Sequence, residues 1–159
     1  MANYIYPAPG VTGVESTLEL QVNADATNDA LSVPSLQDIT VNASNDVFTW
    51  TQLDEASKKQ VATTATNSLS MNLVLDQTTF FGDGTSAAGT ASLKGIFGMS
   101  GDKDLVEFSL YLGDESDGTT GKTISGVGYI TGLAPTVSAD STVWVSPITI
   151  TVTGEYTVA

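Results

Sequence analysis

"SDGTTGKTISGVGYITG" spans Ser116 to Gly132, and its reading decides the fold. Its first eight residues differ at one place from the phosphate-loop pattern G-x-x-x-x-G-K-[ST]: Ser116 stands where the first glycine belongs. A phosphate loop joins a strand to a helix, so that backbone N–H groups and the helix N-terminus point at the phosphates. The upstream half fits, because Val106, Phe108, Leu110 and Leu112 alternate with Glu107, Ser109 and Tyr111 as in a strand. The downstream half does not. Glycines 126, 128 and 132 and the β-branched residues among them disfavour a helix. Asp114, Glu115 and Asp117 would repel phosphate, against Lys122 alone. The stretch is therefore a polar turn between two antiparallel strands, and the chain belongs with β proteins.

The same alternation recurs along the chain. Leu18, Leu20 and Val22 mark a strand, and residues 23–35 a loop rich in Asn, Asp and Pro. Ile39 and Val41 begin another strand, Asn45-Asp46 reads as a turn, and 47–53 alternates again. Residues 54–67 are ambiguous. Asp54 could cap a short helix through Gln60, but the threonines after Val61 favour extended chain. "SLSMNLVLD" (68–76) is a clear strand, 80–91 a glycine-rich loop, and 92–99 at best two helical turns broken by Gly95 and Gly98. Strands at 105–112, 124–131 and 143–157 follow. Pro147 suggests an edge or a bulge near the start of the last one. Residues 1–13 read as an extended arm, because Pro7, Pro9 and Gly10 forbid regular structure. The expectation is one mainly β domain over 1–159: an antiparallel β-sandwich or partly open barrel with one short helix, from which 43–66 projects as a hairpin or loop.

Composition excludes several functions. The chain has 159 residues, with 18 Asp plus Glu against 5 lysines, no Arg and no His, for a net charge of −13. It lacks a guanidinium clamp for phosphate and an imidazole for acid–base work. Lysines are too few to displace counterions from nucleic acid or to hold an anionic membrane. The absence of cysteine excludes a disulfide, a thiolate zinc site and a Cys nucleophile. With no histidine there is no serine triad, and eighteen acids place some carboxylates close together whatever the function. No enzymatic activity and no cofactor are expected. The N-terminal "MANYIYPAPG" lacks the basic and apolar regions of a signal peptide. "GDGTSA" (82–87) and "GVGYITG" (126–132) are read as turn or packing glycines rather than dinucleotide loops. "DESDG" (114–118) and "GDKD" (101–104) lack the register of a calcium loop and are read as solvated acidic hairpin tips.

The stretches "NSLSMNLVLD" and "VEFSLYLGD", with a loop and short helix between them, and then "ISGVGYITGLAPTVSADSTVWVSPITITVTGEYTV", resemble the tail tube proteins (major tail proteins) of long-tailed bacteriophages. The resemblance covers about residues 67–157. "FTWTQLDEASKKQVATTATNSLSMNL" (48–73) is similar to the extended hairpin and return strand that precede this core in the family. The glycine-broken helix between 76 and 104 and the chain end at Ala159 depart from some members. The resemblance implies a structural virion protein, made in the host bacterial cytoplasm. It would form homohexameric rings that stack into a hollow tube and meet tape-measure and tail-terminator proteins, while DNA transits without specific binding. A capsid decoration protein or an immunoglobulin-like adhesion module is the alternative. Trp50, Asp54, Lys58 and Lys59 are the candidate contacts between subunits. Glu107, Asp114, Glu115 and Asp117 are candidates for the lumen wall, or equally for an outer surface where they serve solubility.

Overall fold

A computed structural model describes residues 14–33, 36–114, 122–140 and 143–159, the side chains of 14–16 and 113–114 excepted. The elements are β1 (Val14–Val22), β2 (Leu31–Ser32), β3 (Leu36–Trp50), β4 (Lys59–Val74), α1 (Gln77–Phe81), α2 (Ala91–Gly101), β5 (Val106–Asp114), β6 (Lys122–Leu133) and β7 (Val145–Val158). They build one antiparallel sheet in the order β2-β1-β5-β6-β7-β4-β3, which is not closed. The mainly β, antiparallel architecture read from the sequence is present. It carries two helices where the sequence suggested one.

Alternation explains the sheet. Leu18 and Leu20 on β1, Leu69 and Leu73 on β4, Phe108 and Leu110 on β5, and Ile148 and Ile150 on β7 are all buried on one face. Phe80 of α1 and Ile96 and Met99 of α2 close over that face, and all join one core cluster. Each such side chain contributes about 1.5–3 kcal/mol by leaving water. The opposite face carries the intervening polar residues.

The stretch after Lys122 is a strand. Leu112 pairs with Lys122 and Tyr111 with Thr123, so β5 and β6 form an antiparallel pair, and residues 115–121 between them lie outside the described residues. Asn45-Asp46 is a correction: no turn forms there, and β3 runs through to Trp50 with a bulge between Asn45 and Val47. A bulge absorbs the extra residue by local twist, and the chain need not reverse. Thr63 and Thr64 hydroxyls donate to the Asp46 carbonyl and carboxylate across it. The ambiguous 54–67 holds no helix. The chain reverses within 51–58, and Lys59 opens β4, where Val61, Thr63, Thr64 and Thr66 favour extended backbone.

Within the expected loop 23–35, Leu31–Ser32 forms a two-residue strand against β1. Asp76 caps α1 by accepting from the Thr79 backbone N–H at 3.0 Å, which starts a short helix whose last two residues, Phe80 and Phe81, fall in the loop expected at 80–91. Thr90 caps α2 in the same way. Pro147 sits inside the sheet, yet it precedes the first β6–β7 pair at Ile148, so its missing N–H falls where β7 is locally an edge.

Candidate functional site

The described residues form no cluster of three or more His, Cys, Asp or Glu able to hold a metal. No helix among them is long and apolar enough to cross a membrane. The distinctive features are surfaces.

The first is a ribbon. β4 pairs with β7 only from Asn67 onward, and from Lys59 to Thr66 it pairs with β3 alone. Residues 42–66 are exposed throughout, Lys59 being half-buried. Phe48 and Trp50 stack with ring centroids 5.8 Å apart and planes at 29°. Val61 lies opposite Phe48, and Lys59 opposite Trp50. Phe48 is 59% exposed, and Leu53 at the tip is fully exposed. The sequence-predicted contacts thus gather at one end of the molecule: Trp50 ends β3, Asp54 and Lys58 lie in the connection, and Lys59 opens β4. Lys59 is bound within its own chain to Glu55 at 3.0 Å, while Lys58 and Asp54 make no ion pair among the described residues.

The second surface is the sheet face opposite the core. Cross-strand register places Thr17, Glu19 and Gln21 of β1 beside Tyr111, Ser109 and Glu107 of β5. Tyr129 and Thr131 of β6, Thr149, Thr151 and Thr153 of β7, Ser68, Ser70 and Asn72 of β4, and Asp38, Thr40 and Asn42 of β3 continue it. Thr131 and Thr151 hydroxyls meet at 2.9 Å, and Asn72 donates to both Asp38 oxygens at 3.0 Å. This face carries Glu19, Asp38 and Glu107 and no lysine among these residues. Of the lumen candidates, Glu107 lies here and is exposed. Asp114 ends β5 with its side chain undescribed, and Glu115 and Asp117 lie outside the described residues. Glu19 and Asp38, not singled out from the sequence, share this face with Glu107, and the Leu18, Leu20, Val22 alternation already put Glu19 opposite the core.

The third is a cleft of about 500 Å³ at the far end of β4, lined by Val74, Leu75, Gln77, Phe81, Val143 and Trp144. The Leu75 N–H donates to the Trp144 carbonyl at 2.8 Å and fixes its two walls. Phe81 and Phe97 rings, 5.8 Å apart and each about half exposed, extend the apolar rim.

The glycine motifs fall elsewhere. A helix, α2, does follow "GDGTSA", but Gly82 ends α1 rather than a strand. A Cβ on Gly95, at φ +65°, would collide with the Gly82 nitrogen and the Phe80 carbonyl, so these glycines let α1 and α2 touch backbone to backbone. Gly126 and Gly128 lie within β6, between β5 and β7. "GDKD" is a helix end rather than a hairpin tip. Asp102 caps α2, and Asp102 and Asp104 hold the Lys94 ammonium at 3.1 and 2.6 Å. The Asp104 hydrogen bond holds the Lys94 pKa above its ordinary value.

An open antiparallel sheet with two helices over one face and a two-stranded ribbon leaving one end defines an architectural class in which surfaces, not a catalytic pocket, are the conspicuous features. Its structural neighbours include chains of phage-like tails and tail tubes. The tail of an empty gene transfer agent particle, solved with C6 symmetry, matches at TM-score 0.62 and 11% identity over 89% of this chain and 95% of that one. A chain of the six-fold symmetrised baseplate of the anti-feeding prophage matches at 0.64 and 10%, over 96% and 97%. The SPP1 tail tube matches at 0.64 and 12%, over 92% and 78%. Neither a protein-family model nor a curated protein matches the sequence, so the likeness is one of fold.

Proposed function

We propose that this chain is a structural virion protein that assembles into stacked six-membered rings, forming the hollow tail tube through which phage DNA passes. The observation that carries this reading is the fold, shared with subunits of tail assemblies over nearly the whole of both chains. The C6 symmetry of the gene transfer agent tail supports six copies per ring. The ribbon, with Trp50, Asp54 and Lys58 at its end, is the contact to a neighbouring copy; Lys59 serves it by holding Glu55. The lysine-free hydroxyl and amide face lines the lumen. DNA phosphates near Glu19, Asp38 and Glu107 are repelled rather than gripped, and the duplex slides. The unpaired outer edges of β2 and β3 are covered when rings close. Tape-measure and terminator proteins are the partners within the tail, the location is the virion after synthesis in the host cytoplasm, and the role involves no catalysis.

Deleting residues 46–64 tests the reading. The shortened chain keeps its sheet by circular dichroism and a cooperative melt, but it does not form tubes at concentrations where the full chain does. A shortened chain that still polymerises, or that unfolds, contradicts it.

A further inference from the structure

The ribbon and the cleft stand at opposite ends of one strand. β4 begins at Lys59 in the ribbon and ends at Val74 in the cleft wall, a span of about 50 Å at the usual strand rise. Each end exposes large apolar side chains: Phe48, Trp50 and Leu53 at one, Phe81, Phe97 and Trp144 at the other. We infer that the cleft lined by Leu75, Phe81, Val143 and Trp144 receives the ribbon tip of a second copy, which makes the contact a directional, head-to-tail one.

This rests on the reading that the ribbon meets a neighbouring copy, and it names the surface that receives it. Three observations select the occupant. The lining is apolar apart from Gln77, with no set of converging charges to orient a small polar ligand. Charge favours the ribbon. In a chain of −13 most surfaces of two copies repel, yet at the tip Lys58 and Lys59 offset Asp54 and Glu55, and Lys58 is exposed and without an ion pair among the described residues. The cleft end carries Asp76, set in sequence between the lining residues Leu75 and Gln77. Its Oδ2 takes both bonds from Thr79, which leaves Oδ1 without a partner among the described residues. Geometry supplies the third. A patch at one end and its complement at the other cannot satisfy each other within one copy, but they do so along a stack, with unfilled halves only at its two ends.

The test uses two double variants of the full chain. Phe81→Ser with Trp144→Ser disables the cleft, and Trp50→Ser with Leu53→Ser disables the tip. All four residues are exposed, so both proteins should keep the parent melting profile. Each alone should lose polymerisation. Mixed one to one, they retain one good tip and one good cleft per pair, and sedimentation should show a species about twice the mass of either alone, without longer polymers. As a second measurement, Leu53→Cys and Gln77→Cys copies, in a chain that has no other cysteine, should cross-link to each other on oxidation more than either does to itself. If the cleft variant polymerises like the parent while the tip variant does not, the ribbon docks elsewhere: this inference fails and the tube reading stands. If both polymerise, both fail. If the cleft variant does not fold, the cysteine pair decides, and absence of the mixed cross-link in assembled protein overturns the inference.

Discussion

The side-chain amide of Asn67 donates to the Gly154 carbonyl at 2.8 Å, at the point where the ribbon leaves the sheet. The β4–β7 ladder ends at Asn67 and Val152. Gly154, at φ +89°, then turns β7 away, and the amide takes up the carbonyl that the ladder no longer pairs. Asn67 is 7% exposed, so water does not readily replace it. Beside it the Tyr156 hydroxyl lies 2.7 Å from the Asn42 carbonyl and 2.9 Å from that of Ser68, tying β7 to both strands of the ribbon root.

Asn67→Ala should therefore cost about 1–3 kcal/mol, the usual cost of a buried polar group left unpaired, and lower the melting temperature. Asn67→Asp should cost more at neutral pH, where a carboxylate faces a carbonyl. It should recover part of the loss on acidification, because the protonated acid donates again. Thermal melts of the three proteins at two pH values check this.

Alkaline pH should weaken the fold at two places. Partial burial raises the Tyr156 pKa, and the Asp104 hydrogen bond raises that of Lys94. The folded chain holds both protons more tightly than the unfolded chain does. Both contributions are complete below the unfolded values near pH 10 and are lost as pH rises through the folded ones. Stability from denaturant melts should fall above about pH 10. The fall should be shallower in Tyr156→Phe, and shallower again when Lys94→Met is added.

Gly95→Ala should separate α1 from α2. The residue has φ +65° and ψ 178°, and a Cβ there meets backbone, not a flexible side chain. The backbone strain and the overpacking together should cost about 2–5 kcal/mol. Gly84→Ala, at φ +68° but facing open space, should cost only about 1–2 kcal/mol. Equal losses would mean that the helix contact does not matter.

Wall charge should govern DNA passage. Glu19→Lys, Asp38→Lys and Glu107→Lys together should leave tubes that assemble but retain DNA, most at low salt, where screening is weakest. Ejection kinetics that do not change with ionic strength would remove the charged face from the account.

Much of this was legible from residue patterns. Period-two alternation located the strands and, through Leu18, Leu69, Phe108 and Ile150, the core. The acidic residues around Lys122 and the β-branched run after it were enough to reject a phosphate loop. Other features depended on partners distant in sequence. Asn45-Asp46 looks like a turn locally, and only pairing with β4 carries the strand through it. Glycine counts left a helix of at best two turns at 92–99 and gave no sign of α1, whereas Asp76 and Thr90 supply the caps and Gly95 is needed for contact with Gly82. The cleft joins Leu75 to Trp144, 69 positions apart, and no local pattern announces it.

The most direct test is electron microscopy of the concentrated, purified full-length chain. The account predicts hollow tubes of stacked rings whose averaged end views have six-fold symmetry. Discrete trimers or monomers at every concentration, with no rings or tubes, would contradict it.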